Sequence, residues 1–447
     1  MLVKQNDATI KLTEYSIPLA GTPESQIAQK DLIGWLPYLQ YRDMPIDTGQ
    51  IEYFKLSSTG VIPEVEIVLT DLTAELKSKL YALDNDIISV YLNSRSGALT
   101  DIKMDFKIID YNYDRIDDLI YIKGVANISP VYIQAMKAYR DLTSYEVMKE
   151  LSKSLELGFV SNIESTNDKM TWISPKIKIK DFIKHVTMHA YKDEFSFFLS
   201  FVDFYYNLNF INVETEMEKS SSKTIGLLDY GINFLVNDQK RDDKLSVEIK
   251  LIYSTYPANV TNTTIIDYEI FNQSTKLSLK TGYRKNVSYY DKTLNYEKGA
   301  GGWLDFQLDT VRPDLVAKDN YVLKSLPDDI NGFHKYNVKT HYLGVVDKSN
   351  VHSNFLSAYV QNIFNISELQ KIYIIVKLGL PNYSIQRFTK IQILLMDIAA
   401  PDTEAYLNVR LSGAYLVTGI IFEVDGGEFV QKLILCRREL TNQNFDI

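Results

Sequence analysis

The chain has 447 residues and only one cysteine, Cys436, so no disulfide can form within it. A lone thiol fits a reducing compartment. No run of 18 apolar residues occurs, so neither a membrane-spanning helix nor membrane insertion is expected. Residues 1–16 lack the apolar core of a signal peptide, so no export is expected. Cations are in deficit: 48 Lys and Arg stand against 57 Asp and Glu, a net charge of -9. That balance argues against a dedicated nucleic-acid binder. The longest basic cluster, KIKIK at 176–180, reads as a solvated face. G-x-S-x-G, H-E-x-x-H and zinc-spaced cysteines are all missing. The glycine-rich KGAGGW at 298–303 lacks the Lys-Ser/Thr of a phosphate loop and reads as a surface turn. No cofactor and no catalytic set is expected. Seven Asn-x-Ser/Thr sequons, at Asn127, Asn259, Asn262, Asn272, Asn286, Asn365 and Asn382, read as chance matches without an export signal.

What is abundant is strand-forming residues. Tyr (31) and Phe (20) far outnumber Trp (3), which suits rings laid on pleated surfaces. In 101–114, Ile102, Met104, Phe106 and Ile108 alternate with Asp101, Lys103, Asp105 and Lys107, the period-two pattern of a half-buried strand. Similar runs fill about 40–135 around a short helix at 71–84. The pattern returns from about 205 in runs at 244–255, 263–271, 274–283, 371–380 and 390–398. It ends in a hairpin at 411–440 around Asp425-Gly426-Gly427, residue types that tolerate positive φ. Between these blocks, 143–158 opens with Thr143 and Glu146 as a capping box. Val147, Leu151 and Leu155 recur at four, and Gly158 takes the place of a C-terminal glycine. A second helix spans 179–195 with Phe182, Ile183, Val186 and Ala190 inward. The expected fold class is mainly β with a small α+β module: two antiparallel β-barrels plus a helix–hairpin–helix module. Its divisions fall at 1–138, 139–204 and 205–447, the last carrying a polar insertion at about 238–343.

The stretch 157–174 between the helices carries Asn162, Glu164, Ser165, Thr166, Asn167 and Asp168, then Met170, Trp172 and Ile173. Catalysis by Ser165 or Thr166 would need a base, and nothing in the sequence marks one. Side chains of these types bond to nearby backbone and knot turns, so Asn162, Ser165, Thr166, Asn167, Asp168 and Trp172 read as a structural motif. Asp181, His185, His189 and Asp193 fall at four-residue spacing on the second helix. His185 and His189 are therefore metal-ligand candidates, weighed against acid–histidine pairing on an exposed face. No third ligand group stands out, since His334, His341 and His352 are isolated. Asp117/Asp118 and Asp328/Asp329 are sequence neighbours, so at least one of each pair faces solvent. Cys436 reads as a buried strand residue, although Arg437 and Arg438 follow it.

The pattern L-x-L-G-F-x-S-N-x-x-S-T-N-D-x-M-x-W-I at 155–173, followed by K-D-F-I at 180–183 and preceded by S-Y-E-V-M-K-E-L at 144–151, resembles the central module of baseplate hub proteins of contractile-tailed bacteriophages. The end, 411–437, resembles their closing hairpin. That family is related to the hub part of type VI secretion spike proteins. The resemblance implies a non-catalytic homotrimer in which each subunit carries two tail-tube-like barrels. Its ring adapts the sixfold tail tube to a threefold spike, here a separate protein, with a tape-measure protein as a further neighbour. Genome DNA would pass through an acidic channel without specific binding. The protein would be made in bacterial cytoplasm and reside in the virion baseplate. Residues 213–340 carry no such resemblance. The competing classes are a β-rich carbohydrate-binding or adhesin protein and a cell-wall polysaccharide hydrolase.

Overall fold

The computed structural model describes residues 37–42, 44–71, 75–80, 85–92, 101–219, 224–227, 232–237, 248–253, 264–273, 284–291, 303–307, 338–348, 350–370, 372–378, 381–383, 385–397, 406–407, 411, 413–425 and 427–437. The readings at 1–36, 274–283, 298–302, Asp328/Asp329, His334, Arg438 and the sequons Asn259 and Asn262 lie outside these residues, as does much of 238–343.

The first block holds β1 (Tyr38–Tyr41), β2 (Met44–Ile46), β3 (Ile51–Ser58), β4 (Glu64–Thr70), α1 (Glu75–Lys79), β5 (Ile87–Leu92), β6 (Ile102–Asp114) and β7 (Leu119–Ala126). Its strands run β2-β1-β5-β6-β7-β4-β3, antiparallel throughout. In β6 the predicted alternation holds as far as Ile108, with Ile102, Met104 and Phe106 under the sheet. There the pairing slips: Ile108 faces Gly124, but Asp110 faces Lys123. Ile109 is the extra residue of a bulge, which interrupts the alternation and leaves its side chain outside. Beyond it β6 and β7 stay in the sheet, with β7 paired to β4 as far as Leu119 and Ile120 and Ile122 buried, and the connecting turn at 115–117 is exposed. Gly124 lets the sheet close up, since a Cβ there would lie 2.9 Å from Val65 Cγ1 and 3.0 Å from Phe106 Cβ. Helix α1 is capped by Asp71, whose carboxylate accepts the amides of Leu76 and Lys77.

The middle contains β8 (Gln134–Leu142), α2 (Ser144–Ser154), β9 (Gly158–Ser161), β10 (Met170–Lys178), α3 (Ile179–His189), β11 (Phe198–Val202), β12 (Asn207–Asn212) and α4 (Val213–Glu218). The Thr143–Glu146 capping box forms on α2. Two details differ from the sequence reading. The left-handed residue after α2 is Glu156 (φ 58°), and Gly158 instead begins β9. The segments either side of 162–168 also do not pair as a hairpin. β9 runs parallel to β12, whereas β10 pairs antiparallel with β8 in a separate two-stranded ribbon. The polar loop divides them because its bonds go to the helix ends, as shown below.

The last block contains β13 (Thr224–Leu227), β14 (Ile232–Asn237), β15 (Glu248–Tyr253), β16 (Thr264–Asn272), β17 (Arg284–Asp291), β18 (Trp303–Gln307), β19 (Val338–Val346), α5 (Phe355–Leu369), β20 (Ile372–Leu378), β21 (Lys390–Leu394), β22 (Met396–Asp397), β23 (Tyr406–Leu407), β24 (Gly413–Asp425) and β25 (Glu428–Cys436). The order β24-β21-β13-β16-β20-β25 returns to β24, so six strands close a ring. Short β13 runs parallel to both its neighbours, while the other contacts in the ring are antiparallel. The β24–β25 turn carries Gly427 at φ 82°, as its residue types predict.

The two blocks are one sheet. The first half of β24 pairs with β21, but its second half pairs with β3 of the first block. Thirteen strands thus run continuously, largely antiparallel and curled, with few helices. The chain is mainly β as expected. Its first block is an open curled sheet among the described residues, and its last block is the closed one.

Candidate functional site

Two features join the parts of the molecule. The first is the polar loop 162–168. A helix start leaves its first amides without intrahelical partners. In α2 the amide of Ser144 donates to Asp168 Oδ1 (2.8 Å), that of Tyr145 to Thr166 Oγ1 (3.2 Å) and that of Glu146 to Thr143 Oγ1 (3.3 Å). The Ser144 hydroxyl donates to Thr166 Oγ1 and the Thr166 hydroxyl to Asp168 Oδ1. The other Asp168 oxygen accepts the amide of Tyr191, just past α3 (2.8 Å). One fully buried carboxylate therefore ties the start of α2 to the exit of α3. Its negative charge also suits the positive end of the α2 dipole.

The other members of the motif separate by role. Asn167 is exposed but donates to Lys192 O (2.6 Å), and its amide to Tyr191 O. Asn162 exchanges two bonds with the backbone of Asn212, extending the β9–β12 ladder with a side chain. Trp172 is fully buried, and its Nε1 donates to Leu142 O (2.9 Å). Ser165 is exposed.

The histidine stripe is broken by the fold. α3 ends at His189, so Asp193 leaves the helix and its carboxylate instead accepts the amides of Phe195 and Ser196. Asp181 is exposed. His189 is buried rather than on a solvated face. It stacks on Phe355 of α5, with ring centroids 3.7 Å apart, and its Nδ1 lies 3.1 Å from Phe355 O. His352 is not isolated, since its Nε2 lies 3.0 Å from His189 O. Each ring nitrogen faces a carbonyl, so each carries the proton and donates. The pair locks α5 against α3. Burial lowers the affinity of His185, His189 and His352 for a second proton, most strongly at His189, where His185 adds to the effect. Among the described residues no group of three or more His, Cys, Asp or Glu is placed to hold a metal ion. Cys436 is buried and hydrogen-bonded with Thr418, and burial pushes its thiol up to about 11.

The second feature was not legible in the sequence. β24 changes partner at a bulge: Val417 faces Leu435 and Gly419 faces Ile434, leaving Thr418 extra. The freed Thr418 carbonyl accepts from Arg387 Nε (2.9 Å). The same guanidinium donates to Gly60 O (2.7 Å) and Thr59 O (3.1 Å) in the β3–β4 turn, and stacks on Phe201 of β11 at 4.4 Å. First block, last block and helical module therefore meet on one buried side chain. Burial lowers its pKa to about 9, which still leaves it cationic at neutral pH. Nearby, the Val202 amide donates to Val61 O (2.7 Å). At Gly419 a Cβ would meet Ile434 at 2.9 Å and Thr59 at 3.0 Å. A glycine interrupting the apolar run 414–424 was the available hint of a bulge. Nothing in the run 381–390 distinguishes Arg387 from a surface cation.

No family model matches the sequence, and no curated protein does. Solved structures found similar to it include tail proteins, prophage ones among them, and type VI secretion components. The tail protein from Neisseria meningitidis MC58 is 9% identical with a TM-score of 0.49, over 90% of this chain and 97% of that one. The 43 kDa tail protein of prophage MuSo2 from Shewanella oneidensis is 8% identical with a TM-score of 0.49, over 91% and 98%. The E. coli c3393 protein, a component of the type VI secretion system, is 8% identical with a TM-score of 0.40, over 89% and 76%.

Proposed function

We propose that the chain is a structural hub of a phage-type tail baseplate, with no catalysis of its own. Three copies close into a ring that presents six β-blocks to a sixfold tail tube and threefold symmetry to a spike. The ring wall passes DNA without specific contacts, and the protein is made in the host cytoplasm and resides in the virion. The observation that carries this reading is the pair of β-blocks joined edge to edge through β24. An adaptor of this kind needs two blocks per chain at a fixed angle, because closed cyclic symmetry admits only one. The bulge at Thr418 and the Arg387 bonds to both blocks supply such a fixed joint. Pairing the free edge of β3 with β24 also covers strand backbone that would otherwise invite aggregation. The motif resemblance at 144–183 points the same way. Light scattering of the purified chain tests the stoichiometry, and electron microscopy of the oligomer tests the ring. A closed trimer with two β-blocks per subunit around an open channel is expected. A stable monomer, or a ring drawing one block from each subunit, overturns the reading.

A further inference from the structure

Two exposed places on this chain are complementary to each other. One is the exposed turn end of the β6–β7 hairpin. Over 109–118 it carries Asp110, Asp114, Asp117 and Asp118 with Arg115, while Lys123 lies across the ladder from Asp110 and Lys77 Nζ sits 4.0 Å from the Tyr113 ring. Ile109 (61% exposed), Ile116 (91%) and Tyr121 (37%) stand out of it. The other is the β8–β10 ribbon, which pairs with no further strand among the described residues. One face of the ribbon is buried through Tyr139, Trp172 and Ser174. Its outer face presents Met136 and Ile173, with Ile133 at its start (84%, 57% and 59% exposed). Over 134–142 and 170–178 it carries Lys137, Arg140, Lys176 and Lys178 against the single carboxylate Asp141. On a chain of net charge -9 this is a local inversion of sign. These two places hold six of the ten large apolar or aromatic side chains that stay exposed among the described residues.

They do not meet within one copy. β7 leads from the hairpin end at Leu119 to Ala126, and the turn Ser129–Tyr132 follows before β8. Seven rises of roughly 3.3 Å put about 23 Å between the turn end and the start of the ribbon, with Ile109 and Asp110 partway along, beside Lys123. No hydrogen bond or ion pair joins them among the described residues. We infer that the acidic, apolar end of the β6–β7 hairpin of one copy docks on the basic, apolar β8–β10 ribbon of the next. Such a head-to-tail contact between two different surfaces produces rings when its rotation closes. Opposite charge steers the encounter, and the apolar side chains supply the buried area. This rests on the trimeric reading above and specifies which surfaces build the trimer.

The test is a charge-reversal rescue read by sedimentation mass. D110K/D117K and K176E/K178E each change exposed side chains, so each variant should melt like the parent. Each is expected to fall from three copies to one, or to need at least tenfold more protein to assemble. The two sets combined in one chain are expected to restore the trimer. In addition, I116C chains mixed with M136C chains should cross-link through a bismaleimide, while neither alone does so. Native Cys436 is too buried to interfere. Trimers that survive both reversals, or that fail to return in the combined variant, overturn the inference and leave the hub reading standing. So does loss of DNA retention by K176E/K178E with the trimer intact, which would assign the ribbon to nucleic acid. A parent chain that is monomeric at all concentrations removes the hub reading itself.

Discussion

The loop at 162–168 and the hairpin end at 112–118 are written in nearly the same alphabet, Asn-Ile-Glu-Ser-Thr-Asn-Asp and Asn-Tyr-Asp-Arg-Ile-Asp-Asp. Their fates are opposite. Asp168 is buried and accepts from Ser144, Thr166 and Tyr191. Asp117 is exposed, and the side-chain bonds nearby are local, from the Ile116 amide to Asp114 and from the Tyr113 hydroxyl to Asp118, beside one backbone bond from the Asp71 amide to Asp118 O. The difference lies in what each loop is packed against. The start of α2 brings unpartnered amides to the first loop and the chain leaving α3 adds the Tyr191 amide, and a buried carboxylate is tolerated where such donors surround it. The second loop turns in solvent between two paired strands, where water can solvate its carboxylates. Polar loading alone therefore does not separate a structural knot from an exposed recognition surface.

That contrast can be broken in several ways. Trp172→Ala removes the ring under the first loop and is expected to cost about 3–5 kcal/mol, read as a lower thermal midpoint. If the melt were unchanged, the module would not depend on its anchor. Asp168→Ala strands the Ser144 and Tyr191 amides and should cost about 3 kcal/mol. Asp117→Ala should stay within about 0.5 kcal/mol. Equal losses at the two aspartates, measured by urea denaturation, would erase the distinction.

Acid should act on the module rather than on the hairpin end. His185, His189 and His352 are all held below the ordinary histidine value of 6.5. Below that pH the unfolded chain binds protons that the folded chain refuses. Stability is therefore fully present above about 6.5 and falls as pH drops. The slope approaches about 1.4 kcal/mol per pH unit for each histidine until its folded value is reached. Melts between pH 7.5 and 5 should show this fall, and His189→Phe should make it shallower while keeping a ring beside Phe355, with His185 and His352 still contributing. A flat profile in the parent chain would contradict the buried neutral rings. The smallest effect is expected at Ser165→Ala. Ser165 is exposed, so the change should stay within about 0.5 kcal/mol, and a loss above 1 kcal/mol would place it in the knot.

Much of the local structure was legible in the residues themselves. The alternation of Ile102, Met104, Phe106 and Ile108, the Thr143–Glu146 capping box and the Asp425-Gly426-Gly427 turn each rest on residues a few positions apart. Periodicity and capping are decided at that range. The motif 162–168 was visible as a cluster of backbone-bonding side chains, although the sequence did not show that its bonds reach two helices instead of closing a hairpin. Helix α3 looked long enough to carry Asp193, but packing against α5 and the turn at 193–196 ended it at His189.

Only the tertiary structure decided the rest. The pairing of β24 with β3, the bonds of Arg387 to the β3–β4 turn and the pairing of His189 with His352 join residues more than 150 positions apart in sequence. A lone arginine or histidine carries the same identity on a surface as in a core. Which of these it becomes depends on whether distant strands and helices close over it. The amino-acid sequence by itself determined where strands and helices start, because those choices are local. The joint between the two β-blocks was determined by burial, which belongs to the whole chain at once.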